Sequence, residues 1–143
     1  MQPLNFEEVL QRISSQDSRY HQEAFLFLRE ALDYTQKRLA QGKRVEPRHV
    51  SGQELLTGIR EYALTQFGPM AKTVLNEWGV KSCEDFGEMV FKMVEHGLLS
   101  RTENDSRDDF KGGFDFDQAF CQPFRPRAHE GVPVPPEGQG SQP

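Results

Sequence analysis

The strongest constraint on this chain is the stretch SCEDFGEMVFKMVEHGLLSRTENDSRDDFKGGFDFD, residues 82–117. Ser82 is a helix N-cap residue, and Asp85 three positions on supplies the acidic half of a capping box. Phe86, Met89, Val90, Met93 and Val94 then recur at spacings of three and four, the stripe of a helix with one buried face. His96 and Gly97 end it, because Gly accepts the left-handed C′ conformation and His suits the last carbonyls. Leu98 and Leu99 read as the start of a short strand, and Glu103 to Asp109 as a solvated turn without periodicity. Phe114, Asp115, Phe116 and Asp117 alternate apolar and acidic, which predicts a returning strand with one buried face. A helix, a sharp stop and a small β-hairpin are therefore expected here.

The residues before this stretch are helical in pattern. Asn5 with Glu8 is positioned to cap a first helix whose stripe is Phe6, Val9, Leu10 and Ile13. Asp17 and Ser18 interrupt it. A second and longer helix is expected from about Arg19 to Ala40. Tyr20, Ala24, Phe25, Leu28, Ala31, Leu32 and Leu39 mark its apolar side, and Phe27 and Tyr34 widen that side beyond one stripe. So wide a face needs a second packing surface, either inside the chain or in a homodimer. Ser51 and Glu54 form another capping box, followed by Leu55, Ile59, Tyr62, Ala63 and Phe67. Gly68-Pro69 closes that helix and opens the next. Val74, Leu75 and Trp78 face inward, and Gly79 stops the chain before Ser82. Met89, Val90, Met93, Trp78, Leu75, Ile59 and Phe114 are expected to share one core.

The predicted fold class is mainly α: a helical N-terminal pair over residues 1–41, then a winged-helix-like part over 51–117 with one small β-hairpin. Three short helices with tight Gly-containing turns and then a hairpin are the order of a winged helix. Residues 1–124 read as one globular domain. Phe120 and Phe124 are expected to pack back onto it. From Arg125 the chain is rich in Pro, Gly and Gln, and this composition offers too little apolar surface to offset ordering. Disorder is expected over 125–143.

Charge and reactive side chains narrow the function. The net charge is −5, whereas nucleic-acid surfaces are usually basic. The one basic cluster is Lys43, Arg44 and Arg48, with His49 beside them, in the Gly42–Val50 loop. The polar side of the 82–97 helix carries Glu84, Asp85, Glu88 and Glu95 against Lys92 alone. Arg107, Lys111 and Arg101 are the cations near the expected wing. No two His stand four apart on a helix, and Asn104 to Asp109 lacks the spacing of a calcium loop. Lys111-Gly112-Gly113 lacks the context of a phosphate loop. No metal or cofactor is expected, and no nucleophile, base and acid are recognisably arranged. Cys83 falls in the first turn of its helix, with Glu84 and Asp85 opposing a thiolate. Cys83 and Cys121 are the only cysteines. With no signal peptide and no long apolar run, this predicts a cytoplasmic protein with reduced thiols and no membrane contact.

Two resemblances add to this. Met93-Val94-Glu95-His96-Gly97-Leu98-Leu99-Ser100-Arg101 followed by Asp105-Ser106-Arg107 resembles the recognition-helix end and wing of regulators of the multiple-antibiotic-resistance type. His49-Val50-Ser51-Gly52-Gln53-Glu54-Leu55-Leu56, Gln66-Phe67-Gly68-Pro69-Met70-Ala71, Glu77-Trp78-Gly79-Val80, Glu84-Asp85-Phe86-Gly87 and Asp105-Ser106-Arg107 are similar to an uncharacterised bacterial family of short conserved hypothetical proteins. That second likeness spans residues 1 to about 124. It implies a bacterial cytosolic protein and carries over no functional residue. The leading expectation is a non-enzymatic winged-helix-like interaction or adaptor module that meets a basic protein surface. Its expected contact residues are Glu84, Glu88, Lys92, Glu95 and Arg107, with Lys43, Arg44 and Arg48 as a second patch. A winged-helix DNA-binding regulator is the alternative, disfavoured by the acidic helix, and an unrecognised enzyme is the further one. Truncation after Phe124 is expected to leave the urea unfolding midpoint unchanged.

Overall fold

A computed structural model describes residues 6–16, 18–40, 50–100 and 105–124. Asn5, Asp17, the basic loop with Lys43, Arg44 and Arg48, Arg101 to Asn104, and the tail from Arg125 lie outside the described residues. Five α-helices form the body: α1 Phe6–Gln16, α2 Gln22–Ala40, α3 Gly52–Phe67, α4 Ala71–Glu77 and α5 Cys83–Glu95. Short helical turns complete it, at Gly68–Met70, Arg107–Phe110, Asp117–Cys121 and Gln122–Phe124. The protein is mainly α.

The helix ends follow local chemistry. Ser51 and Glu54 form a reciprocal box at the start of α3: the Ser51 N–H donates to Glu54 Oε1 at 3.0 Å, and the Glu54 N–H to Ser51 Oγ at 3.1 Å. At α5 the Asp85 carboxylate reaches back to the Lys81 and Ser82 N–H groups at 2.8 and 3.2 Å. Gly79 and Gly97, at φ +92° and +77°, close α4 and α5. Each lets the next residue bond back five positions, Val80 N–H to Leu75 O at 2.9 Å and Leu98 N–H to Met93 O at 2.8 Å. Helix α2 starts at Gln22, later than the expected Arg19, because His21 acts as its cap. His21 Nδ1 accepts from the Glu23 N–H at 3.0 Å, while its own N–H donates to the Trp78 carbonyl.

Helix α2 is the centre of the core. One side buries Ala24, Phe25, Leu28 and Ala31. The wider apolar face is used within the chain: the Phe27 ring lies 5.5 Å from Tyr62, 5.6 Å from Phe67 and 5.9 Å from Trp78, and Tyr34 lies 5.3 Å from Tyr62. Ile59, Leu75, Met89 and Met93 are fully buried, and Trp78, Val90 and Phe114 pack against the same cluster half-exposed.

The expected β-hairpin is not present: no strand occurs among the described residues. Leu98 and Leu99 form a bend after α5. Phe114 and Phe116 alternate because both rings enter one aromatic cluster over α5, with Phe116 5.9 Å from Phe86 and 5.1 Å from Phe120. Asp115 then caps a helical turn instead of extending a strand; its carboxylate accepts from the Gln118 N–H at 3.0 Å. Phe120 is fully buried as expected, whereas Phe124 is 47% exposed.

Helices α2 and α3 approach closely at Gly58, which faces the buried Thr35. A Cβ at Gly58 would overlap the Thr35 hydroxyl and methyl groups. Thr35 is 3% exposed and its hydroxyl donates to Ala31 O at 2.7 Å, so it has little room to turn away. Gly58→Ala is therefore expected to lower stability by about 1–3 kcal/mol through overpacking. Adding Thr35→Ala should recover part of that loss in urea titrations, as coupled neighbours do.

Candidate functional site

The acidic residues foreseen on α5 are in place, with a partner that spacing did not show. Glu84 and Glu95 are exposed and Glu88 and Lys92 half-buried. Arg107 lies across them. Its guanidinium stands 3.6 Å from Glu88 Oε1, 3.8 Å from Glu95 Oε2 and 5.2 Å from the centre of the Phe91 ring. The expected solvated wing tip is thus, over 105–110, a strap lying on α5. Its start is set by another capping box, in which the Ser106 N–H donates to Asp109 Oδ2 at 3.0 Å and the Asp108 N–H to Ser106 Oγ at 3.1 Å. Lys111 turns to Asp108 at 3.0 Å.

Packing holds the strap more firmly than charge does. Phe110 is 3% exposed. It sits in a notch between α3 and α5 that two glycines leave open. A Cβ at Gly87 would meet Phe110 Cβ at 3.0 Å, and one at Gly52 would meet Asp109 Cβ at 2.7 Å. Gln53 Nε2 also donates to the Asp109 carbonyl at 2.6 Å.

Beside the strap a groove of about 460 Å³ opens between α2 and α5, within the ~300–1,000 Å³ typical of ligand sites. Val90 and Val94 of α5, Leu32 of α2, and Leu98 and Leu99 of the following bend form its apolar lining. Asp105, Ser106 and Asp109 stand at the strap end, and Lys, Arg and His are absent from the described lining. Leu32, Gln36, Leu98 and Leu99 also line a second groove of about 860 Å³, which continues toward Glu30, Asp33, Tyr34 and Tyr62. The bend at Leu98-Leu99 therefore lies between two connected depressions. Sequence reasoning did not find this surface. The strand reading of Leu98 and Leu99 hides their place in its lining.

The reactive groups are quiet. Cys83 is buried, and its thiol donates to Phe114 O at 3.3 Å. Burial, opposed by the bond to the Phe114 carbonyl and aided to a smaller extent by Glu84, pushes its pKa up to about 11, so it is a thiol at neutral pH and a poor nucleophile there. Among the described residues no group of three or more His, Cys, Asp or Glu is placed to hold a metal ion. No described helix is long and apolar enough to cross a membrane. No family model, curated protein or solved structure matches the chain.

Because its carboxylate contacts are long and exposed, the Arg107 clamp contributes little. Arg107→Ala is expected to lower stability by no more than about 1 kcal/mol. The difference from wild type should shrink further in 1 M salt, as thermal or urea unfolding at two ionic strengths would show.

Proposed function

We propose that the protein is a non-enzymatic interaction module whose docking surface is the groove between α2 and α5. The observation that carries this reading is an apolar lining, walled at one end by carboxylates, on a chain whose thiols and carboxylates form no reactive set among the described residues. Apolar concavities of this size with a few polar groups at the margin are where proteins bind partners or ligands. The sequence placed the contact on the exposed acidic side of α5. The position of Arg107 over Glu88, Glu95 and Phe91 favours the groove beside it instead.

A helix-turn-helix-like arrangement is part of the proposal, since α3, α4 and α5 follow one another through tight turns. The strap takes the place of a wing. The DNA-binding alternative loses support because Arg107 and Lys111, which a wing would offer to phosphates, face Glu88, Glu95 and Asp108. A basic partner protein suits the Asp105 and Asp109 end. The two free thiols fit a reducing, cytoplasmic setting.

Capture from nuclease-treated lysate of the source cells checks this reading. The wild-type protein should retain a stoichiometric protein partner. Val94→Lys, which places a cation in the groove, should lose it without a shift in unfolding midpoint. A catch that disappears with nuclease treatment would return the protein to the nucleic-acid class. A catch unchanged in Val94→Lys would move the surface elsewhere.

A further inference from the structure

Resting on that reading, we infer that the occupant of the groove is an amphipathic α-helix of another protein, with Lys or Arg at the end that meets the strap. The lining decides between a helix and an extended peptide. An extended segment gains affinity by pairing its backbone with a sheet edge, and no strand occurs among the described residues. Laid against Leu32, Val90, Val94, Leu98 and Leu99, its N–H and C=O groups would meet aliphatic carbon. Each buried group left unpaired makes binding weaker by a large factor. A helix brings its backbone bonds with it and presents only side chains.

The spacing of the lining agrees. Val90 and Val94 are one turn apart on α5, and Leu98 and Leu99 lie in the bend beyond the Gly97 stop. The lining thus joins one helical turn, roughly 5–6 Å, to a short apolar bend. It is complementary to an apolar row at i, i+3 or i+4, and i+7 on the incoming helix. Past Leu98-Leu99 the groove widens into the larger depression, which leaves room for a helix of more than two turns.

Charge sets the direction and the identity of the partner. The strap end carries Asp105 and Asp109 with Ser106. The far depression mixes signs, with Arg29 and Lys37 beside Glu30 and Asp33. A helix with its basic residues at one end would therefore place that end on the strap. A second copy of this chain fits less well, because its net charge is −5 and two copies repel.

The test uses the full chain and three fluorescein-labelled 14-residue peptides, read by anisotropy. The first has Leu at i, i+3, i+4 and i+7, Lys at one end and Gln elsewhere. The second has Glu in place of Lys. The third is the Lys peptide with two central prolines, which cannot form the helix. The Lys helix should bind wild type at least tenfold more tightly than either other peptide. Val94→Lys and, separately, Leu99→Lys should each weaken it at least tenfold while the protein remains folded by circular dichroism. Equal binding of the proline peptide would make the occupant extended and overturn the inference. Equal binding of the Glu peptide would overturn the inference of a basic occupant. Binding indifferent to both substitutions, or no binding of the Lys helix, would also overturn it. None of these results touches the interaction reading itself, which stands or falls on protein capture from lysate.

Discussion

One part-buried hydrogen bond ties α5 to the turn that starts α2. The Tyr20 hydroxyl, in a residue only 3% exposed, donates to Asp85 Oδ1 at 2.6 Å. The other oxygen of Asp85 accepts from the backbone of Lys81 and Ser82, so one carboxylate both starts α5 and receives the turn before α2. A buried tyrosine hydroxyl needs such a partner, and a bond to a charged group is worth about 1.5–3 kcal/mol. Burial first, and the Asp85 carboxylate second, raise the Tyr20 pKa well above its ordinary value of 10.0. The raised folded value means that the stabilisation is complete below the unfolded pKa and is lost only as pH rises through the folded one. Beside this bond, a Cβ at Gly79 would overlap the Arg19 carbonyl. The chain passes so closely there that the turn between α4 and α5 and the turn before α2 form one joint. Helices α2 and α5 both leave that joint, and the groove lies between their later halves.

From the joint, the aromatic residues divide into two groups with different tasks. Phe27, Tyr62, Phe67 and Trp78 fix α3 and the end of α4 on α2. Phe86, Phe114, Phe116 and Phe120 fix the C-terminal turns on the start of α5. Neither group extends into the groove, where the lining is mainly aliphatic apart from Phe91 and Phe110 at the strap. Aromatic rings bury large areas and hold preferred geometries. The frame is therefore rigid on both sides of a surface made of smaller and more adaptable side chains.

Features set by neighbours in sequence were legible, and features set across the fold were not. The boxes at Ser51/Glu54 and Ser82/Asp85 and the stops at Gly79 and Gly97 depend on residues within a turn of one another. All four stand where the pattern put them. The strand expected at Phe114–Asp117 rested on a period of two over four residues, which two rings pinned to one cluster reproduce equally well. The competing signal was present: Asp115 with Gln118 three positions on is an N-cap pattern, and it starts a helical turn. The late start of α2 depends on a bond from His21 to Trp78, 57 residues away by their numbers, which no local rule contains. Arg107 was foreseen as a contact residue for a partner. Its pairing with Glu88 and Glu95 needed the strap to fold over α5, and that depends on Phe110 finding a notch opened by Gly52 and Gly87.

That notch also decides which surface the fold offers. Exposed ion pairs contribute roughly 0–1 kcal/mol each and weaken with salt, so Arg107 alone would leave the strap loosely held. Burial of a phenylalanine side chain contributes about 1.5–3 kcal/mol and is not weakened by charge screening. The position of the strap, and with it the wall formed by Asp105, Ser106 and Asp109, is therefore set by Phe110. The acidic face of α5 can exchange its arginine with solvent ions without altering the groove. A surface whose shape depends on packing and whose charge stands only at its margin keeps that shape when its ion pairs are screened.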